Sequence, residues 1–306
     1  MSLALLFPGQ GTQHATMLPW LDDQPAAQAT LAQLAADIGA DWRQRLADPA
    51  WTSGNAIAQS LLTATSVAAW QCLAPLLPPP AVIAGYSVGE LPAFCAAGVY
   101  SAATAGQLAR ARAAAMSASV AGLATGLLAV QGWPAMAVAA VCREHGLAVA
   151  IQMAADRVVL GGPDRALQAA EAALNAAGAH TTRLAVGLAS HTPWMAAAAR
   201  AFAAHLRSVD FKPPRCTLVC NLDGLALRQP ADLRHALAAQ IDHPVRWTAC
   251  QDAVAERGVR CVLEVGPGTT LSRLWTERSR AVPARSADEF RSPEAVARWV
   301  QSMLAG

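Results

Sequence analysis

With 306 residues, the chain is long enough for one large α/β domain, alone or with a smaller companion. Apolar residues make up 54% and charged residues only 14%, so there is ample material for a core. The formal net charge is +2, and Lys212 is the single lysine among 23 basic residues, the arginines being scattered rather than striped. That pattern excludes nucleic acid as an expected partner.

In chain order, LALLF at 3–7 reads as a buried strand stopped by Pro8 and Gly9. Helical patterns fill 26–38 and 55–74, and PLLPPP breaks the second. A strand is expected at 81–85, followed by helices at 89–97 and 101–118. Alternating strands and helices predict a mostly parallel sheet covered on both faces. From 125 the rhythm changes to strand, proline-to-glycine helix, two strands, a second such helix and a last strand, HTTRLAV. That order is that of a ferredoxin-like split βαβ unit. The expected organisation is a discontinuous α/β-hydrolase-like domain, 1–123 and 190–306, with an inserted ferredoxin-like α+β domain at 124–189. In the second part, helices are expected from 191 to about 207, at 230–240, 247–257 and 293–304, and strands at 217–221 and 261–266.

The seven cysteines (72, 95, 142, 216, 220, 250 and 261) are odd in number and widely spaced, which argues against a disulfide framework. Cys216 and Cys220 have no second pair at metal-site spacing, so no metal is expected. The N-terminal MSLALLFPGQG lacks a signal-peptide pattern, and no apolar run approaches the ~18 residues of a membrane span. The expectation is a cytoplasmic protein in a reducing compartment, with no membrane partner.

One stretch carries chemistry. In GYSVG, Ser87 sits between a strand-like and a helix-like run, with Gly85 and Gly89 on either side. A sharp strand-to-helix turn would project its hydroxyl from the sheet edge, beside the first free N–H groups of the helix. The alternative is a structural turn or cap. A serine nucleophile needs a base. Of the seven histidines, His191 in AVGLASHTPWM falls where a strand gives way to a helix, the place where α/β folds gather active residues. It could equally neighbour a helix cap. The loop FPGQGTQ lacks phosphate-loop spacing. As a tight turn it could bring the Gln10 N–H to the same edge, where with the Val88 N–H it would form an oxyanion hole.

Together, FPGQGTQ, GYSVGELPAFCAAG, RAAAM at 112–116, ASHTPWM, QIDHPVRW at 240–247 and EVGPGTTL at 264–271 resemble the malonyl-coenzyme A:acyl carrier protein transacylase family, in the expected order along nearly the whole chain. The resemblance implies Ser87 as the acylated nucleophile and His191 as its base. It implies Gln240 as the residue whose main-chain carbonyl orients the imidazole, and Gln10 and Val88 as oxyanion donors. Arg112, 25 residues after the serine, matches the arginine that clamps the malonyl carboxylate. Without the resemblance, Arg112 in LARARAAAM reads as solvent-facing. A planar guanidinium suits a carboxylate through two parallel hydrogen bonds.

The chain departs from the family at Tyr86, where many members have histidine, and at Met153 and Ala154, near positions where asparagines are common. These departures and the ending VPARSADEFRSPEAVARWV look most like the transferase (epsilon) subunit of malonate decarboxylase. That subunit would load malonyl from malonyl-CoA onto the prosthetic thiol of a carrier-protein subunit, within a complex of other decarboxylase subunits and with no bound cofactor. The alternatives are the same transfer in fatty-acid synthesis, an acyl-thioester hydrolase, and a non-catalytic scaffold.

Overall fold

The computed structural model describes residues 2–305, and its two sheets share a core. The strands are β1 (Leu3–Phe7), β2 (Val82–Gly85), β3 (Thr125–Gln131), β4 (Ala148–Ala154), β5 (Arg157–Pro163), β6 (His180–Arg183), β7 (Thr217–Val219), β8 (Ala226–Leu227), β9 (Val245–Arg246), β10 (Cys261–Glu264) and β11 (Ala284–Ser286). In the first part of the chain the helices are α1 (Gln28–Ile38), short α2 (Trp42–Arg45) and α3 (Pro49–Thr52), α4 (Asn55–Leu73), α5 (Glu90–Ala96) and α6 (Ala102–Ser119). Next come α7 (Ala135–His145), α8 (Asp164–Ala176) and α9 (Ala196–Leu206). The last four are α10 (Pro230–Ala239), α11 (Trp247–Ala255), α12 (Thr270–Arg278) and α13 (Pro293–Ala305).

The larger sheet runs β11-β10-β1-β2-β7-β8, parallel except for the β7/β8 edge pair. β1 is central and buried throughout because both faces are covered. Strand alternation sends Leu3, Leu5 and Phe7 to one face, against α4, α5 and α6. Ala4 and Leu6 point the other way, into a cluster with Trp247 of α11 and Trp275 of α12.

The smaller sheet runs β6-β3-β5-β4, antiparallel throughout, the strand order of a ferredoxin-like unit. α7 and α8 pack on one face through Val138, Cys142, Leu167 and Leu174. Its other face contributes Leu127, Ile151 and Val159 to the cluster around Trp247. A fifth strand, β9, comes from outside 124–189 and pairs parallel with β4, Ile151 opposite Val245. This sheet is therefore tied to the larger part by backbone hydrogen bonds as well as by packing.

Several expectations are corrected. The strand expected through HTTRLAV ends at Arg183, because Leu184 and Val186 turn inward onto the shared core. The strand expected at 217–221 stops at Val219, after which Cys220 and Asn221 leave the ladder. The helix expected from 191 starts at Ala196, after a 3-10 turn at Pro193–Met195. Helix α12 was not anticipated. Its first-turn N–H groups, Leu271 and Ser272, donate to the buried Glu264 carboxylate at 3.1 and 2.8 Å. All seven cysteines are unpaired. Among the described residues, no helix is long and apolar enough to cross a membrane.

Candidate active site

Ser87 opens a 3-10 turn, Ser87–Gly89, between β2 and α5, with φ of 54°. The bend is possible because its flanking residues have no side chains. A Cβ on Gly85 would fall 2.1 Å from the Gly89 carbonyl oxygen, and one on Gly89 would fall 2.2 Å from that of Phe7. The second contact also sets the loop after β1 directly against the turn. Gln10 lies on that loop. Among the described residues, the main-chain N–H groups of Gln10 and Val88 meet no acceptor.

The position of His191 differs from the expected strand end. It occupies a turn eight residues beyond Arg183, with φ of 64°, and its own N–H donates to the Ile241 carbonyl at 2.8 Å. Its ring is buried. Nδ1 lies 2.5 Å from the Gln240 main-chain oxygen and Nε2 lies 2.7 Å from Ser87 Oγ. A carbonyl can only accept, so Nδ1 carries the proton and Nε2 is left to accept from the serine hydroxyl. Burial, and then the nearby Arg112 cation, push this imidazole down to about 3, partly offset by the Gln240 carbonyl. The imidazole therefore stands neutral across the physiological range.

Arg112, on α6, is 2% exposed, so the solvent-facing reading is overturned. One guanidinium nitrogen donates to Gln59 Oε1 at 2.8 Å and another reaches Gln240 Oε1 at 3.4 Å. Gln59 is itself oriented by Asn55, to whose Oδ1 it donates at 2.7 Å. Arg112 has no carboxylate within ion-pair distance among the described residues, and its Nε, like Gln240 Nε2, is buried without a partner. Burial lowers the guanidinium to about 10, yet it stays charged at neutral pH, and Glu90 opposes the shift. Glu90 is fully buried, and desolvation lifts its carboxyl to about 8 despite Arg112. The site thus presents an enclosed cation with donors to spare, a configuration suited to an acidic ligand.

Beside it, a cavity of about 310 Å³ opens between the sheets. Gln10, Tyr86, Met153, Arg157, Val159 and Leu184 are among the residues that line it. Tyr86, edge-on to Trp247 at 5.2 Å, and Met153 are two of the positions that depart from the family pattern. Both line this cavity, whose lining includes Gln10 but not Ser87, His191 or Arg112. All the predicted site residues (Ser87, His191, Arg112, Gln240, Gln10 and Val88) fall in one neighbourhood. Of the other histidines, His180 lines the cavity at the end of β6, His14 contacts Asp288 at 2.7 Å, and His235 and His243 are exposed. Gln59, Glu90 and Asn221 were not singled out from the sequence, and no spacing signal marked them.

The chain resembles known proteins in sequence and in fold. Residues 4–300 match the family described as "acyl transferase domain". The malonyl CoA-acyl carrier protein transacylase of Mycobacterium tuberculosis is 35% identical over 93% of this chain and 95% of its own. The acyl-carrier-protein S-malonyltransferase of Burkholderia pseudomallei superposes with a TM-score of 0.90 at 28% identity, covering 97% of this chain and all of that one. A malonyl-transacylase solved with its type II PKS acyl-carrier protein superposes at 0.88, with 29% identity, covering 94% of this chain and 96% of its own. The chain is an acyltransferase and belongs to the acyl transferase domain family, among the malonyl CoA-acyl carrier protein transacylases.

Proposed function

We propose that this enzyme moves a malonyl group from malonyl-CoA to the prosthetic thiol of an acyl carrier protein through a malonyl ester on Ser87. The observation that carries the reading is the 2.7 Å contact between Ser87 Oγ and His191 Nε2, within the neighbourhood of a buried arginine that lacks a carboxylate partner.

His191 Nε2 takes the hydroxyl proton as Oγ bonds to the thioester carbon. The Gln10 and Val88 N–H groups hold the oxyanion. As the intermediate collapses, the carbon–sulfur bond breaks and His191 returns the proton to the coenzyme A sulfur. The carrier thiol then enters, gives its proton to His191 and attacks the ester. When the ester bond breaks, the proton goes back to Ser87. The Gln240 carbonyl stands where a triad carboxylate would, fixing the tautomer without adding negative charge. Arg112 receives the malonyl carboxylate, and its neutralisation by that group raises the basicity of His191 in the substrate complex.

Of the two pathway readings, transfer to the carrier of fatty-acid synthesis is favoured over the malonate decarboxylase subunit. It is supported by relatives named malonyl CoA-acyl carrier protein transacylase, while the solved complex of one malonyl-transacylase with a type II PKS carrier supports a carrier protein as acceptor without choosing the pathway. The resemblance of Tyr86, Met153 and the C-terminal segment to the decarboxylase subunit has no counterpart in those names. We take 1–123 with 190–306 as the catalytic body, 124–189 as the inserted unit, and the cytoplasm as the place of action. Transfer assays with a phosphopantetheine carrier and with a phosphoribosyl-dephospho-CoA carrier test the choice. Faster loading of the first supports it, and loading of the second alone reverses it. Release of free malonate without either carrier would instead indicate a hydrolase.

A further inference from the structure

Asn221 follows β7, is fully buried, and has a partner for all four of its polar groups, its side chain engaging the Ser87 turn. Its Oδ1 accepts the Ser87 N–H at 2.7 Å, and its Nδ2 donates to the Gly85 carbonyl at 2.5 Å. Its own main-chain N–H donates to Glu90 Oε1 at 2.7 Å, and its carbonyl accepts the Arg246 N–H at 2.9 Å. One amide thus grips the chain on both sides of Tyr86, while two other segments hold the amide in place.

We propose that Asn221, braced by Glu90, is a positioning residue that keeps Ser87 in its left-handed conformation with Oγ aimed at His191. The proposal rests on Ser87 being the nucleophile. A serine at positive φ relaxes toward the right-handed or extended regions unless its surroundings prevent it, and either change would swing Oγ away from Nε2. Restraint here needs an acceptor for one N–H and a donor for a carbonyl two residues earlier, in one plane and at short reach. The asparagine carboxamide supplies both. Aspartate keeps the acceptor and, when ionised, loses the donor. Alanine loses both.

A second consequence concerns the oxyanion hole. Because Asn221 occupies the Ser87 N–H, the donor offered from this turn is the next one along, Val88. Glu90 has a matching duty: one carboxyl oxygen fixes Asn221, while the other, Oε2, is buried without a partner. A neutral amide at position 90 can accept the same N–H, so the brace needs the oxygen rather than a charge.

The test is single-turnover acylation of the full chain by malonyl-CoA, followed by intact mass, for wild type, Asn221→Ala, Asn221→Asp, Glu90→Gln and Glu90→Ala. Malonyl-CoA affinity is measured alongside in the Ser87→Ala background, with and without Asn221→Ala. Asn221→Ala is expected to slow acylation about a hundredfold while affinity stays within about threefold, the split expected when aim rather than binding is lost. Asn221→Asp should fall between alanine and wild type, Glu90→Gln should stay close to wild type, and Glu90→Ala should be slow. Wild-type acylation rates in Asn221→Ala would overturn the proposal, as would affinity falling in step with rate. Should the alanine variant fail to fold, Asn221→Asp decides, and an unchanged rate there has the same force. Absence of label from Ser87 in wild type would instead sink the nucleophile assignment. Label in wild type together with an indifferent Asn221 would leave that assignment standing and reject the positioning role.

Discussion

Ser87 and His191 both occupy left-handed backbone conformations, φ 54° and 64°, and their side chains meet at 2.7 Å. Among the described residues Leu18 is the only other non-glycine with positive φ. Each such residue costs roughly 1–3 kcal/mol and persists only where its surroundings over-determine it. For Ser87 those surroundings are Gly85, Gly89 and Asn221, and for His191 they are the Ile241 and Gln240 carbonyls. Two strained turns, one at the end of β2 and one held by the chain after α10, bring the two side chains together.

The glycine before the nucleophile should tolerate no side chain. In Gly85→Ala the new methyl would stand 2.1 Å from backbone oxygen, which cannot move aside as a flexible side chain could. We expect a loss of about 3 kcal/mol or more in chemical denaturation, with no detectable acylation. An alanine variant of wild-type stability would mean that the turn is not held as described.

Removing the buried cation should change substrate choice. Charge-assisted hydrogen bonds are worth ~1.5–3 kcal/mol each, so loss of the guanidinium is expected to lower kcat/KM for malonyl-CoA by about a hundredfold or more. Arg112→Ala also leaves Gln59 and Gln240 facing an uncharged space, in which an acetyl group is no longer disfavoured. The ratio of kcat/KM for malonyl-CoA to that for acetyl-CoA measures this. An unchanged ratio would remove Arg112 from recognition.

The imidazole should be silent near its ordinary range. With His191 held at about 3, chiefly by burial and then by Arg112, kcat/KM should show no acid limb close to pH 6.5. Arg112→Ala should move the His191 titration upward, as followed by NMR of the ring. The same depression bears on stability. Between pH 6.5 and about 3 the unfolded chain takes up a proton that the folded one refuses, so stability falls as the solution is acidified across that window.

Glu90 acts in the opposite sense. Its folded-state carboxyl is raised from 4.5 to about 8, so its stabilising contribution is complete below 4.5 and lost as pH rises through 8. Glu90→Gln keeps an acceptor for the Asn221 N–H without a titrating proton. Its melting temperature should gain on wild type at about pH 8.5 relative to about pH 6. Parallel pH dependences in the two proteins would contradict the assignment.

Much of this was legible in the residues. β1, stopped by Pro8 and Gly9, and the proline-to-glycine helices α7 and α8 are announced by local chemistry. Gly146, for example, closes α7 with φ of 64°. β9 has two residues and is stabilised by β4, nearly a hundred positions away, so no local pattern could reveal it. Helix α12 is short and polar along much of TLSRLWTER, and the Glu264 cap that starts it lies on the preceding strand. Ser87 and His191 were singled out by their sequence context, and Arg112 by the family resemblance alone. Asn221 and Glu90 act through hydrogen bonds spanning more than 130 positions, a distance over which sequence alone gives no geometry.

The central claim is that Ser87 carries the malonyl group. Intact mass of the wild-type chain mixed with malonyl-CoA, followed by peptide mapping, addresses it most directly. The account predicts a single adduct of malonic acid less water, mapped to Ser87 and lost on adding carrier thiol, and no adduct on Ser87→Ala. Equal labelling of Ser87→Ala, or an adduct mapped to another residue, would contradict it.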